Sequence, residues 1–169
     1  MTERTIDGIT KHLFINGPGE AVYEAGVRSL CLCRYPDHPR GCPNYGKRDD
    51  CSPKAPLFVS LFRRNVIVVA IGMDVQEFLE ARREKHPDWS ERALFNSRHW
   101  QGALRADLGR FIATNVSENP SLGNYSVILS PEAMGINVFA TGEDPGIGLF
   151  LERTPKRVVY KVALLALTK

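Results

Sequence analysis

The chain is expected to fold as an α+β or α/β domain, a mixed sheet of about four strands flanked by helices. Three observations lead there. The run Val66-Ile67-Val68-Val69-Ala70-Ile71 is apolar and largely β-branched, which suits a strand covered on both faces. Ala93, Trp100, Leu104, Leu108, Phe111 and Ile112 fall on one face of a helix, a stripe that faces a core. The 169 residues, 43% hydrophobic and 24% charged, have the balance of a globular chain that can bury one core, and no repeat or linker divides them. Residues 1–169 are therefore read as a single domain.

Taken in order, Leu13-Phe14-Ile15 reads as a strand that ends at the turn signal Asn16-Gly17-Pro18-Gly19. Glu20 to Leu30 reads as a short helix with Ala21, Val22, Ala25 and Ser29 on one side. Residues 31–56 carry Pro36, Pro39, Pro43, Pro53 and Pro56 with Gly41 and Gly46, a density that forbids a regular helix or central strand. Loops beyond about 12–15 residues are uncommon in compact domains unless they are functional, so this one needs a staple. Leu57 to Arg64 reads as a short helix leading into the strand at Val66. Asp74 with Glu77 forms a capping box for a helix that carries Val75, Phe78 and Leu79 and stops before His86-Pro87. Ser90 caps the longer helix bearing the apolar stripe. Val127-Ile128-Leu129 and Val158 to Leu167 give two further strands, with a helical segment from Pro131 to Phe139 between them. Gly142 to Gly148 has glycines but lacks the Lys-Ser/Thr ending of a phosphate loop, and Glu143 and Asp144 would repel an anion, so it reads as a surface turn.

Twenty-two Lys and Arg against nineteen Asp and Glu leave a charge of +3, an excess too small to name a nucleic-acid partner. No apolar run approaches the roughly 18–20 residues needed to span a bilayer, and the first residues carry acids where a signal peptide has a basic stretch followed by an apolar one. A cytoplasmic protein with no membrane association is the expectation, and nothing in the sequence speaks to oligomeric state.

All four cysteines, Cys31, Cys33, Cys42 and Cys51, lie in the proline-rich loop. In a reducing compartment, grouped cysteines bind metal or do redox chemistry more often than they form disulfides. The pattern Cys31-x-Cys33-x8-Cys42-x8-Cys51 lacks the paired knuckles usual for zinc and the close runs of ferredoxins. Its wide spacing and neighbouring prolines lean toward a [4Fe–4S] iron–sulfur cluster, with zinc the alternative and no metal, or a disulfide, the third reading. All four cysteines are candidate ligands. Alternate residues of an extended segment face opposite ways, so Cys31 is the one expected to turn inward. A cluster on Cys33, Cys42 and Cys51 would then leave one iron open to substrate, water or His38. The plain account is a closed structural site that pins the loop.

Gly41-Cys42-Pro43-Asn44-Tyr45-Gly46-Lys47, followed by Cys51-Ser52-Pro53, resembles the Cys…Tyr-Gly-Lys…Cys-Pro-Pro signature of an uncharacterised prokaryotic family of predicted metal-binding proteins. Pro131-Glu132-Ala133-Met134-Gly135-Ile136-Asn137-Val138-Phe139 is similar to that family's segment near its C-terminus. The resemblance implies a cytoplasmic protein that binds a metal or cluster through Cys33, Cys42 and Cys51, with Cys31 as a further ligand; it implies no reaction. This sequence departs from the pattern at Ser52, where the first proline of the pair is usual, and in lacking a second cysteine group before Pro131.

Arg34, Arg40, Lys47 and Arg48 surround the cysteines, and Tyr45 stands among them. A solvated face accounts for them plainly. The functional account makes Arg34, Arg40, Tyr45 and Lys47 cofactor-binding residues: cations raise the potential of a negatively charged cluster and receive a small anionic substrate or an acidic redox partner protein. Arg98 and Arg105, with Gly102 between them, read as a solvated helix face. Of the scattered histidines His12, His38, His86 and His99, only His38 lies within the cysteine loop. No Ser/His/Asp or paired-carboxylate constellation names a reaction. Two function classes follow: a redox or cluster-dependent enzyme component, or an interaction module in which zinc only folds the loop.

Overall fold

The computed structural model describes residues 2–6, 9–34, 38–149 and 157–169. Its strands are β1 (Thr2–Ile6), β2 (Ile9–Glu20), β3 (Phe62–Asp74), β4 (Ser126–Ile128) and β5 (Val158–Thr168), hydrogen-bonded in the order β1-β2-β3-β5-β4. The α-helices are α1 (Phe58–Leu61), α2 (Val75–Lys85), α3 (Glu91–Leu94), α4 (Gln101–Glu118) and α5 (Val138–Gly142). β1 pairs antiparallel with β2, Thr2 facing Leu13, and β4 pairs antiparallel with β5, Val127 facing Leu165. Of the two expected classes the fold is α+β. The strand beyond the expected four is β1, whose first four residues, Thr2 to Thr5, are all polar and carry no apolar signal.

The chain divides into two compact units. One comprises Met1–Ile15, Val69–Gly123 and Leu151–Val162; the other comprises Asn16–Val68, Asn124–Phe150 and Ala163–Lys169. Among the described residues no helix is long and apolar enough to cross a membrane.

In the first unit the expected α2 forms as its cap dictates. The Asp74 carboxylate accepts from the Glu77 N–H at 3.0 Å, satisfying one of the donors that a helix start leaves orphaned. The Glu77 carboxylate does not close the box on Asp74; it accepts from the Thr10 N–H and hydroxyl. The long helix expected from Ser90 is broken in two. Ser90 caps α3 by accepting from the Ala93 N–H, but the Asn96 side chain then accepts from the Arg98 N–H and starts a 3-10 turn over Ser97–His99. A short polar side chain that bonds its own backbone competes with the helix at that point. α4 follows, burying Leu104, Leu108 and Ile112 as the stripe predicts.

The same face of α4 buries Asp107, which accepts from the ammonium of Lys11 on β2, itself buried, and from Arg110 one turn on. Removing one partner of such a pair leaves an uncompensated charge away from water.

In the second unit Phe58, Val66, Val68, Ile136, Ile147 and Leu164 are essentially inaccessible, each such side chain adding about 1.5–3 kcal/mol by burial. Two departures from expectation share one cause. Asn16-Gly17-Pro18-Gly19 does not turn but continues β2, because Gly17 lies against the neighbouring strand: at φ +133°, a Cβ there would come within 2.8 Å of the Val66 carbonyl oxygen. Glycine marks close backbone approach here rather than a reversal. The helix expected from Glu20 begins late, as a 3-10 helix over Ala25–Leu32, since distant acceptors take the preceding N–H groups. Ala21 donates to Arg64 O, Val22 to Thr141 Oγ1 and Glu24 to Gly135 O.

The helix expected over Leu57–Arg64 shortens to α1, and Phe62 already belongs to β3. The segment from Pro131 is a 3-10 turn to Met134 followed by α5. The turn after α5 is not wholly at the surface: Ile147 is fully buried, and its carbonyl accepts from the Asn16 amide at 2.6 Å.

Asp107→Ala is expected to destabilise the protein by about 3–5 kcal/mol in urea unfolding, and the paired Lys11→Met/Asp107→Leu change to recover most of that loss. A loss below about 1 kcal/mol for Asp107→Ala would show that Lys11 finds water instead.

Candidate metal centre

The four cysteines all lie in the second unit, and the structure separates them into three and one. The 3-10 helix Ala25–Leu32 carries Cys31 in its last turn, and Cys33 follows as its C-terminal cap, its N–H bonded to Leu30 O. The segment is thus helical where an extended one was expected. With three residues per turn, side chains two apart still point in different directions. Cys33 is exposed, while Cys31, Cys42 and Cys51 are half-buried.

Main-chain hydrogen bonds bring the three together. The Cys42 N–H donates to the Cys31 carbonyl at 2.7 Å, closing the first part of the loop. Gly41 permits this approach: at φ +80°, a Cβ would lie 2.5 Å from that same carbonyl oxygen. Gly46 N–H donates to Ser52 O at 2.7 Å, and Ala55 N–H to Cys51 O at 2.9 Å, so the second part is a chain of tight turns. Arg28 of the 3-10 helix fastens the end of the loop by donating to both Pro53 O and Ala55 O at 2.7 Å. Pro36, one of the five prolines, lies outside the described residues.

Ser52, where the resemblance leads one to expect proline, is 1% exposed, and its hydroxyl donates to the Ala133 carbonyl at 3.3 Å. Ala133 belongs to the second segment that carries the resemblance. Nearby, Tyr23 bridges to Ile136, and Asn137 N–H donates to Val22 O at 2.9 Å. The two motifs, about eighty residues apart in sequence, therefore meet at one place in the fold.

Two of the three thiols feel burial and the charge of their neighbours. Burial, and next the Cys42 thiol, raise Cys31 above its ordinary pKa; Cys51 and Glu132 add to the rise, and a hydrogen bond with Ser52 opposes it. Burial also raises Cys51, followed by Asp50, with Arg48 opposing. Such thiols stay protonated at neutral pH, so a metal must displace their protons to bind. Arg48 reaches Asp50 with two 2.8 Å hydrogen bonds on the exposed side.

Arg34, Arg40 and Lys47 are exposed and Tyr45 is half-buried, so the basic residues stand on the solvent side of the loop. Half-buried His38 accepts the Gly41 N–H with its carbonyl. The other histidines lie in the first unit: His12 is buried on β2, and His86 stacks on Trp89 at 4.0 Å, with His99 tilted over the same ring at 5.3 Å. Among the described residues no three His, Cys, Asp or Glu side chains are arranged to hold a single metal ion. Sequence reasoning missed Arg28, Ser52 as a hydrogen-bonding partner, and Glu132. Ser52 carried a signal as the position that departs from the resembled pattern, Glu132 lay in the quoted segment from Pro131, and Arg28 carried none.

Gly41→Ala is expected to destabilise the loop-bearing unit by roughly 1–3 kcal/mol through its left-handed backbone alone, and further through the clash with Cys31. Gly26→Ala in the preceding 3-10 helix, where a Cβ meets nothing within 4 Å, is the control and should be close to neutral. Equal unfolding midpoints for the two variants would contradict the close approach.

Comparison with family models, with curated proteins and with solved structures finds no match to this chain, so the family resemblance rests on the quoted residues alone.

Proposed function

We propose that the loop holds one [4Fe–4S] cluster on Cys31, Cys42 and Cys51, and that the protein is a cytoplasmic redox or cluster-dependent enzyme component. The observation that carries this reading is the group of three half-buried thiols, closed by the Cys42-to-Cys31 hydrogen bond, with the fourth cysteine turned out to solvent. Soft, deprotonable sulfur is the donor that iron–sulfur clusters and zinc both take.

The spacing along the sequence, without the paired knuckles usual for zinc, leans toward the cluster. A single zinc ion draws each thiolate to about 2.3 Å from one point. The cysteines of a cluster bind separate iron atoms and stand farther apart. A bound cluster supplies one-electron transfer and, with three cysteine ligands, an iron open to a further ligand.

The chain's own residues set the surroundings. The Ser52 hydroxyl, which donates to Ala133 O, would favour the Cys31 thiolate if it turned its one proton to that sulfur. Arg48, held by Asp50, opposes without outweighing the rise that Asp50 gives Cys51. The exposed Arg34, Arg40 and Lys47 present positive charge to an acidic redox partner protein or a small anionic substrate. Grouped free thiols suit a reducing compartment, which supports a cytoplasmic setting. The alternative is a zinc-stabilised interaction module without catalysis.

Anaerobically purified or reconstituted protein should be brown with broad visible absorbance. Cys31→Ser, Cys42→Ser and Cys51→Ser should each lose most of the colour and iron, since a hydroxyl is a harder and weaker ligand, while Cys33→Ser keeps them. Loss in Cys33→Ser with retention in Cys31→Ser would overturn the ligand set. Colourless protein with one zinc per chain would replace the reading with the alternative.

A further inference from the structure

The first unit contains a cleft that the metal loop does not touch, about 240 Å³ in volume, roughly the share of eight water molecules. Its walls include Met73, Phe78, Trp100 and Leu104, and its polar lining includes Arg82, Lys85 and His99. The charge here is one-sided. Lys11, which also lines the cleft, is already neutralised by Asp107, and the nearby Glu77 carboxylate holds Thr10. Arg82 is held with its guanidinium carbon 5.2 Å from the centre of the Trp89 ring, and its Nε is buried with no hydrogen-bond partner among the described residues. Among the described residues no carboxylate lines the cleft beside Arg82 and Lys85, so an anion entering it meets cations alone. His99 reports the same field: burial first, then Arg82 and His86, depress its pKa below the usual imidazole value.

We propose that this cleft binds a small organic carboxylate with an apolar body. The planar guanidinium fork matches a carboxylate, Lys85 adds a second cation at the rim, and the aromatic and aliphatic walls take the remainder of the molecule. Inorganic phosphate satisfies the cations but wets the walls, so it ranks below a carboxylate of the same charge with a hydrophobic body.

The chain has two tryptophans, Trp89 under Arg82 and Trp100 in the wall, so intrinsic fluorescence reads the site directly. Full-length protein titrated with benzoate should show a saturable change, with benzyl alcohol and phosphate each binding at least about tenfold more weakly. Arg82→Gln should weaken benzoate at least about tenfold. If that variant does not fold, Lys85→Gln should weaken it in the same direction. Ala103→Leu, at an exposed position lining the cleft, should block it by filling space. No saturable response to benzoate, phosphate binding as tightly as benzoate, or undiminished benzoate binding in folded Arg82→Gln and Ala103→Leu would each overturn the proposal.

Discussion

The hydrogen bond from the Cys42 N–H to the Cys31 carbonyl, made across a glycine that leaves no room for a side chain, is the constraint on which the cysteine loop depends. The loop has little apolar surface with which to offset its ordering entropy. Among its described residues Gly41, Ser52 and Ala55 are buried, and further order comes from backbone turns and from Arg28 capping two carbonyls. A segment built this way gathers three thiols without a hydrophobic core of its own. A ligand that binds all three would supply the missing stabilisation, because binding free energy to the folded loop is folding free energy.

Burial and electrostatics act in opposite senses in the two units. In the second, desolvation and mutual thiol repulsion hold Cys31 and Cys51 in their neutral forms, a set of groups whose protons a soft metal can replace. In the first, the buried Lys11 is matched by Asp107, while Arg82 keeps a buried donor with no protein acceptor among the described residues. A matched buried charge is a structural feature; cations that line a cleft without a carboxylate beside them are a recognition feature.

Much of the architecture was legible because local and tertiary signals agreed. The run Val66–Ile71 lies within β3, Asp74 caps α2 as its spacing implies, and Leu104, Leu108 and Ile112 are buried on α4. The misreadings occurred where tertiary partners override local chemistry. Asn16–Gly19 has turn composition, yet its glycines serve close packing against Val66 and Ile147. Residues 21–24 have helical spacing, yet their N–H groups go to Arg64, Thr141 and Gly135. At the candidate site the clustering of the four cysteines in one loop was legible, but the local backbone at the first two was not. An extended backbone was assumed at residues 31–33, whereas a 3-10 helix carries half-buried Cys31 in its last turn and leaves Cys33 at the exposed cap. Ser52 stood out only as a departure from proline, and its bond to Ala133 depends on a segment some eighty residues away.

The central claim is that three thiols gathered by the backbone form the cradle of an iron–sulfur cluster rather than a zinc knuckle. Iron and acid-labile sulfide, measured per chain on wild-type protein reconstituted without oxygen, test it most directly. The account predicts about four of each per chain, as a [4Fe–4S] cluster requires. About one zinc per chain, with neither iron nor sulfide retained after the same treatment, would contradict it.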